Sequence, residues 1–421
     1  MLLVKMAHTD QNNREFDVVL WGASGFTGRL VAEHLYGVYG VDRDLRWAIA
    51  GRNQPKLEQI RAALGDGAER IPILIGNIED AASLAAIARR TRVLCTTVGP
   101  YLKYGEGMLA ACAKNGTDYC DLTGEVLFIR KMIDCYEQDA RQSGARIVNS
   151  CGFDSVPSDL GTLLIQDEFK NKYGHYASEV RFRLKVAKGS LSGGTIASMM
   201  NIFDAVKRDA SLRKVLGNPY ALNPETEQHG RDGKDQSAAA YDETFGAWTT
   251  PFIMAGINTR IVRRSNAIMD YRWGEDFSYT EAVIAGKGVT GWLKARLISA
   301  GLKTFMLAAS INATRALMFK LFLPKPGEGP DADQRRNGFF NIAFSATDND
   351  GNILRGKLTG NRDPGYGATS RMLGEMAVCL AKDLEPDKPG GFWTPAASAG
   401  QKLMPRLREN AGIEFTLTGT G

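Results

Sequence analysis

A glycine-rich stretch near the beginning of the chain has the residue types of a phosphate-binding turn. The run Gly22-Ala23-Ser24-Gly25-Phe26-Thr27-Gly28 follows directly on the apolar segment 16–21. A strand that breaks into such a turn and then into a helix directs unpaired backbone N–H groups and the positive end of a helix dipole at one point. Glycine permits a close approach of backbone to phosphate that a Cβ would block. The stretch therefore predicts a pyrophosphate-binding turn.

The glycine spacing, G-x-x-G-x-x-G, differs from the G-x-G-x-x-G of the commonest dinucleotide fingerprint, so the prediction depends on its context. Apolar periodicity predicts a strand at 16–21, a helix at about 26–36 and a second strand at 45–50. Gly28 is followed by Arg29-Leu30 rather than by Lys and Ser or Thr, which excludes a Walker-type loop. This β-α-β setting favours a dinucleotide.

The end of the second predicted strand indicates which dinucleotide is bound. NAD-binding proteins usually place Asp or Glu there, beside the ribose hydroxyls, whereas this chain has Gly51-Arg52-Asn53. A carboxylate would repel a 2′-phosphate, and a guanidinium can bind one through two hydrogen bonds. Arg52, with Asn53 beside it, therefore predicts NADP(H) over NAD(H). The alternative is a solvated arginine in a loop.

Residues that could transfer a proton follow the fourth, fifth and sixth predicted strands, where the nicotinamide of a bound nucleotide should lie. Tyr101 and Tyr104 could donate a proton while hydride arrives from the cofactor; packing beside the ring is the alternative. Asp121, Glu125 and Asp154 could transfer a proton or bind an amino group, because carboxyl groups in closed pockets acquire shifted pKa values. Capping or turn formation is the alternative role for each carboxylate.

Missing patterns exclude several other chemistries. None of the thirteen tyrosines has Lys four residues later, which disfavours a short-chain dehydrogenase, and the Gly-x-Ser-x-Gly elbow of serine hydrolases is absent. The four histidines are isolated and the six cysteines form no C-x-x-C, so no metal site is predicted and reduced thiols are expected. The 52 basic and 47 acidic residues form no dense block, and no nucleic-acid partner is expected.

The elements that must position these residues alternate between strand and helix over the first 150 residues. Apolar strands are predicted at about 16–21, 45–50, 71–75, 93–98, 118–122 and 146–149, with helices between them. Such an alternation forms a parallel sheet covered on both faces, the doubly wound Rossmann-type α/β fold. Its ligand lies at the carboxyl ends of the strands.

Beyond about residue 156 the pattern changes to alternating strands. They are predicted at 179–186, 260–264, 278–285, 339–346 and 352–358, with loops at 218–244 and 324–330 and further helices at 370–382 and 394–409. We therefore expect a Rossmann domain formed by 1–155 and 364–421. Residues 156–363 are expected to form an inserted substrate or dimerisation domain on a mixed, largely antiparallel sheet.

The stretch Leu297 to Leu323 is strongly apolar, but Lys303, Asn312 and Arg315 interrupt it and keep it below the length of a spanning helix. A buried helix, a wall of an acyl-chain pocket, a homodimer face and a peripheral membrane contact all fit this pattern. The apolar run at 1–5 is too short for a signal peptide. The expected location is therefore the cytoplasm or the inner face of the membrane.

Seven strings of the sequence, in chain order, resemble those of the saccharopine dehydrogenase-like oxidoreductases, and most closely those of the trans-acting enoyl reductase branch. The strings are GASGFTG, AGRN, TTVGPY, YCDLTGE, CGFDSVPSDLG, SGGTIAS and DPGYGATSRML. They lie between about residues 16 and 408, and the later strings are more specific than the glycine turn.

The resemblance implies an NADP-type Rossmann domain with an inserted mixed sheet, and reduction of a double bond in a polyketide or complex-lipid intermediate. It also implies that the pyrophosphate is held by Gly22, Ser24, Gly25, Phe26, Thr27 and Gly28, the ribose phosphate by Arg52, and the nicotinamide side by Gly99 and Pro100. It assigns no catalytic acid. An NADPH-dependent reductase of an apolar acyl substrate is the leading hypothesis. An amino-acid or opine-type dehydrogenase and a membrane-docked nucleotide-binding scaffold stay open.

Overall fold

The computed structural model describes residues 13–189, 193–311, 314, 329–385 and 387–420. The chain divides into two compact units, the first formed by Met1–Val156 and Tyr366–Gly412 and the second by Pro157–Gly365 and Ile413–Gly421.

The first unit contains a parallel sheet. Its strands are β1 (Phe16–Trp21), β2 (Trp47–Gly51), β3 (Ile73–Ile75), β4 (Thr91–Thr96), β5 (Asp118–Cys120), β6 (Arg146–Val148) and β13 (Gly391–Trp393). They are ordered β13-β6-β5-β4-β1-β2-β3, and every neighbouring pair is parallel. The chain changes direction across the sheet between β1 and β4, which is the switch point where such folds bind ligands. The predicted Rossmann-type fold is confirmed.

The helices of the first unit alternate with its strands. They are α1 (Phe26–Tyr39), α2 (Gln54–Leu64), α3 (Ala81–Arg90), α4 (Tyr101–Tyr104), α5 (Glu106–Lys114), α6 (Val126–Ser143), α13 (Thr369–Lys382), α14 (Pro395–Ala399) and α15 (Leu403–Arg406). The single helix predicted at 394–409 is wrong, because Gly400 has a left-handed backbone (φ 55°) that ends α14. All six residues of β1 are buried, as expected for a strand covered on both faces.

The second unit contains a mixed sheet. Its strands are β7 (Glu179–Lys188), β8 (Ala240–Asp242), β9 (Ala247–Thr250), β10 (Ser278–Gly286), β11 (Phe339–Thr347), β12 (Ile353–Gly360) and β14 (Ile413–Thr420), in the order β14-β12-β11-β7-β10-β9-β8. Strands β7 and β10 pair in parallel, and the other neighbours pair antiparallel. The predicted mixed, largely antiparallel sheet is confirmed.

The last strand corrects the predicted extent of the first domain, which included 413–421. Strand β14 pairs with β12 in the second unit. Its apolar residues alternate, so that Ile413 is buried and the ring centroid of Phe415 lies 6.4 Å from that of Phe344 on β11. Burial of this apolar face explains why the tail joins the second sheet.

The helices of the second unit include one that was predicted as a strand. They are α7 (Val156–Tyr173), α8 (Gly193–Arg208), α9 (Leu212–Gly217), α10 (Ala255–Ile268), α11 (Gly288–Ser310) and α12 (Ala332–Arg336). The strand predicted at 260–264 lies inside α10. Its arginines are buried because they find acceptors: Arg260 and Arg263 donate to the carboxylates of Asp235 and Asp232.

The predicted loop 218–244 is described completely, whereas the predicted loop 324–330 and the apolar stretch 297–323 are described only in part. Residues 218–244 are mostly irregular, apart from a 3-10 turn at Glu225–Glu227 and strand β8. Helix α11 contains the first half of the apolar stretch, whereas 315–323 and 324–328 lie outside the described residues. None of the described helices is long and apolar enough to cross a membrane.

Candidate active site at the carboxyl edge of the parallel sheet

Two glycines of the 22–28 turn are required by packing. Gly22 has a left-handed backbone (φ 90°), and a Cβ there would lie 2.5 Å from the side chain of Val98. A Cβ on Gly28 would lie 2.2 Å from the carbonyl oxygen of Gly22. These two positions bring the start of α1 against the turn and the turn against the segment that follows β4.

Gly25 differs, because the protein itself does not require a glycine there. It is exposed, its backbone is extended (φ −80°, ψ 164°), and a Cβ would make only an ordinary contact, 3.4 Å from the oxygen of Gly22. A glycine at this position agrees with the predicted close approach of a pyrophosphate, which stays a prediction.

The start of α1 offers N–H groups to an anion. The first helical hydrogen bond runs from the N–H of Arg29 to the carbonyl of Gly25 (2.9 Å), so the N–H groups of Thr27 and Gly28 have no acceptor within this helix. The first turn of α1 contains no acidic residue. Ser24 and Thr27, both half-buried, place hydroxyl groups in the same turn. These residues fit a pyrophosphate.

The aromatic ring of Phe26 has a packing role in addition to its place in the turn. It meets the buried ring of Tyr366 edge to face, with centroids 4.8 Å apart, and the guanidinium of Arg29 lies 5.5 Å from its centroid. Tyr366 was not among the predicted site residues, although the string DPGYGATSRML contains it.

Arg52 and Asn53 follow β2, next to β1 in the sheet. Arg52 is exposed, and its guanidinium has no carboxylate within 4.0 Å among the described residues. The side-chain oxygen of Asn53 accepts a hydrogen bond from the N–H of Lys56 (3.0 Å) and caps α2. The guanidinium is thus available to a phosphate, whereas the acceptor oxygen of Asn53 serves the helix.

Gly99 and Pro100 follow β4, on the other side of β1. The chain is fixed to the turn just before them, since Thr97 donates its N–H to the carbonyl of Trp21 (3.1 Å) and its hydroxyl to that of Gly22 (3.3 Å). The peptide bond between Gly99 and Pro100 is cis. Their predicted position beside the nicotinamide stays a prediction.

Tyr101 and Glu125, two candidates for proton transfer, bond to backbone groups of the protein. Glu125 is fully buried, and its carboxylate accepts hydrogen bonds from the N–H groups of Tyr101 (2.9 Å) and Leu102 (2.8 Å), which caps α4. The Tyr101 hydroxyl donates to the carbonyl of Thr96 (3.1 Å), and burial, with the Asp121 carboxyl nearby, raises its pKa well above the usual value. Both residues therefore have clear structural roles.

Tyr104 is the more accessible of the two tyrosines. Its ring is half-buried, and the ammonium group of Lys103 lies 4.9 Å from the ring centroid. A role in proton transfer stays a prediction for Tyr104.

Asp121 holds together the ends of β5 and β6. Its carboxylate accepts hydrogen bonds from the hydroxyl of Tyr119 (3.0 Å), the amide of Asn149 (2.8 Å) and the N–H groups of Thr123 (3.1 Å) and Ser150 (3.0 Å). Burial raises its pKa to about 6, although these donors favour the ionised form. With every oxygen bonded to the protein, Asp121 positions the loop that follows β6.

That loop carries Asp154 on a strained backbone. Ser150 (φ 62°) and Ser155 (φ 105°) both have positive φ values, which are uncommon for residues other than glycine. Between them, Phe153 donates its N–H to the hydroxyl of Thr369 (3.0 Å), a contact that sequence reasoning missed. Asp154 is half-buried and has no hydrogen-bond partner among the described residues, and burial raises its pKa to about 7.

The parallel topology brings these predicted residues to one edge. The turn, Arg52, Gly99, Asp121 and Asp154 follow β1, β2, β4, β5 and β6, and the carboxyl ends of parallel strands share an edge. Three features there serve no packing or side-chain hydrogen bond among the described residues. They are the missing side chain at Gly25, the guanidinium of Arg52 and the carboxyl of Asp154.

Comparison with known proteins agrees with this site. The family described as saccharopine dehydrogenase NADP binding domain matches residues 18–148, which confirms the predicted NADP(H)-binding domain. Among solved structures, apo histidine-tagged saccharopine dehydrogenase (L-Glu forming) from Saccharomyces cerevisiae aligns with a TM-score of 0.52 over 96% of this chain and 100% of its own. At 12% identity, this similarity shows a shared fold.

Full-length relatives place the chain within a branch. A Mycobacterium tuberculosis protein that bears the provisional name of a trans-acting enoyl reductase is 39% identical over 415 residues, 96% of this chain and 98% of that protein. A trans-acting enoyl reductase from Mycobacterium ulcerans is 35% identical over 419 residues, 95% and 97% of the two chains. The chain therefore belongs to the saccharopine dehydrogenase-like oxidoreductases, in their trans-acting enoyl reductase branch.

Proposed function

We propose that this protein is an NADPH-dependent enoyl reductase that saturates the C=C bond next to the carbonyl of an apolar acyl substrate. The observation that carries the proposal is that the helix N-terminus after Gly25 and the exposed Arg52, which has no carboxylate partner among the described residues, lie at one sheet edge. The names of the full-length relatives support the reaction type.

The first task of the chain is to bind and orient the coenzyme. The N–H groups at the start of α1 would hold the pyrophosphate, and the guanidinium of Arg52 would hold the 2′-phosphate. When bound, NADPH supplies a hydride for one carbon of the double bond, and the other carbon takes up a proton. The reaction thus consumes one NADPH and one proton for each double bond.

The second task is to hold that proton. Asp154 suits it because a carboxyl group with a pKa of about 7 is partly protonated at neutral pH. Its half-buried position lets it recover a proton from water after each turnover. Tyr104, also half-buried, is the alternative donor.

The surroundings of the other carboxylates do not favour an amino-acid substrate. In an opine-type dehydrogenase, Asp121 or Glu125 would bind the substrate ammonium. Both carboxylates instead accept hydrogen bonds from backbone N–H groups and are fully buried. Releasing them to a substrate would leave those N–H groups unsatisfied, at about 1–3 kcal/mol each.

Coenzyme binding can be tested by titrating the purified protein with NADPH and NADH. Arg52→Gln should weaken NADPH binding roughly 10- to 100-fold, the value of a charge-assisted pair, and leave NADH binding nearly unchanged. Arg89→Gln is the matched control, because Arg89 is also exposed, on α3, but precedes β4 and so lies at the opposite edge of the sheet. Equal affinities for the two coenzymes in the unmodified protein, with no effect of Arg52→Gln, would remove the coenzyme proposal.

Turnover can be tested with a long-chain α,β-unsaturated acyl thioester, by following NADPH oxidation and the saturated product. We expect reduction by the unmodified protein. Asp154→Asn should reduce the maximal rate roughly 100-fold while NADPH binding stays unchanged, the usual contribution of a general acid. Oxidation of NADPH by a 2-oxo acid with an amine, and none by the thioester, would favour the amino-acid dehydrogenase instead.

A further inference from the structure

Helix α11 of the second unit turns its smallest residues toward the protein. Its buried residues are Gly291, Ala295, Ser299 and Ala309. A Cβ on Gly291 would lie 2.4 Å from the carbonyl oxygen of Gly286, and the hydroxyl of Ser299 shares a hydrogen bond (3.0 Å) with that of Thr250 on β9. This face therefore packs closely on the protein.

The opposite face of α11 carries large apolar residues in solvent. Exposed fractions are 79% for Val289, 52% for Leu293, 64% for Leu297, 65% for Leu307 and 48% for Ile311, which follows the helix. At 3.6 residues per turn these five positions fall within an arc of about 80°, which we call the apolar stripe. Amphipathic helices of globular proteins normally bury such a face.

Every charge on α11 and at its start is positive. The charged residues between 287 and 311 are Lys287, Lys294, Arg296 and Lys303, all exposed. By helical spacing, Arg296 and Lys303 border one side of the apolar stripe and Lys294 the other. The guanidinium of Arg296 lies 5.1 Å from the ring centroid of Trp292, which holds it near the stripe.

This combination fits a lipid surface better than a second protein copy. Two copies meeting through the same face would bring like charges together, whereas the phosphates of anionic lipids complement cations on both sides of an inserted apolar face. The 23 residues of α11 are about 34 Å long, enough for four of the five stripe residues to insert while the helix lies flat.

We propose that α11 docks the protein on an anionic membrane, with the apolar stripe inserted among the acyl chains and its flanking lysines and arginine on lipid phosphates. Membrane docking depends on the second unit and coenzyme binding on the first. Either can therefore fail in an experiment without the other.

The test is flotation of the purified full chain with lipid vesicles. We expect the protein to float with vesicles of phosphatidylcholine and phosphatidylglycerol, much less with phosphatidylcholine alone, and less as salt rises. The double variant Leu293→Glu, Leu297→Glu should lose at least tenfold in bound fraction. The matched control is Leu417→Glu, because Leu417 on β14 of the same unit is also exposed (46%) but lies outside α11; it should float like the unmodified protein.

NADPH binding by each variant reports whether the fold is intact. The proposal is overturned if the unmodified protein stays unbound in the presence of anionic vesicles, or if both variants float equally. A third result would also overturn it: the unmodified protein is a dimer in solution and does not float, and the double variant is a monomer. The apolar stripe would then join two copies.

Discussion

The carboxyl edge of the parallel sheet offers polar and charged groups, and the outer face of α11 offers apolar side chains. In both regions some residues are required by the fold and others are not. At the sheet edge, packing requires a glycine at position 28 and the N–H groups of α4 require the carboxylate of Glu125, whereas packing does not require a glycine at position 25. On α11, Gly291 fits against the protein, whereas Leu297 is 64% exposed. Each region therefore combines residues that the fold requires with residues that it does not.

The difference between the two regions indicates the kind of partner. The spare groups of the sheet edge are backbone N–H groups, a guanidinium and a carboxyl, which suit a charged small molecule. The spare groups of α11 are apolar side chains bordered by cations, which suit an extended surface. Substitutions that separate required residues from spare ones can break this comparison.

The largest effect is expected within the glycine turn. Gly28→Ala places a Cβ 2.2 Å from a backbone oxygen and 2.9 Å from the Cα of Ala23, so the turn must move. We expect the free energy of unfolding to fall by about 3 kcal/mol. We also expect NADPH binding to become too weak to measure. Gly25→Ala should change stability by no more than about 0.5 kcal/mol and still weaken NADPH binding roughly tenfold or more.

Urea unfolding and NADPH titration of the two variants measure both quantities. If Gly25→Ala unfolds as readily as Gly28→Ala, packing requires the glycine at position 25. If it binds NADPH like the unmodified protein, the coenzyme does not approach this position closely.

A smaller loss of stability is expected at Glu125. Glu125→Ala leaves two N–H groups at the start of α4 without their acceptor, one of them on a buried residue, and should cost about 2 kcal/mol of unfolding free energy. Leu297→Ala on α11 is the comparison, with an expected change within about 0.5 kcal/mol because the side chain is already in solvent. Urea unfolding of the two variants checks this, and a larger loss for Leu297→Ala would mean that the apolar stripe is part of the core.

Local sequence patterns predicted the parallel strands of the first unit well, because each of these strands is a short apolar run that can be recognised from its own residues. The strand predicted at 16–21 has those bounds in the structure, and the helix predicted at about 26–36 begins at Phe26. The strand prediction at 260–264 was wrong because Arg260 and Arg263 are buried against carboxylates 25 and 31 residues away, which no local window contains. The strand β13 was also missed, since it has only three residues and a periodicity cannot be recognised over so short a segment.

Candidate site residues were found where a motif marks them, and their roles depended on distant contacts. Glycine spacing identified the turn, but only the structure separates Gly25 from its neighbours. Glu125 was a candidate acid because the sequence does not reveal that it faces the N–H groups of α4, 23 and 24 residues earlier. Thr369 and Tyr366 were missed for the same reason, although they lie in one of the family strings.

The smallest effect, and the one most specific to the proposed chemistry, is the pH dependence caused by Asp154. Its folded-state pKa of about 7 lies above the usual value of 3.8, so folding favours the protonated form. The stabilisation from this group is complete below about pH 4 and is lost as pH rises through about 7. Asp154→Asn removes the dependence, and at about pH 8 the variant should be more stable than the unmodified protein.

We expect a difference of about 1–2 kcal/mol at that pH, less than the full shift implies, because the side chain is only half-buried. Urea unfolding at about pH 5 and pH 8, without coenzyme, measures it. Helix α11 supplies the contrast, since no Asp, Glu or His lies between residues 287 and 311, and vesicle binding should not change between these two pH values. Parallel stability profiles for the variant and the unmodified protein would mean that Asp154 is ionised at neutral pH, and Tyr104 would then become the candidate proton donor.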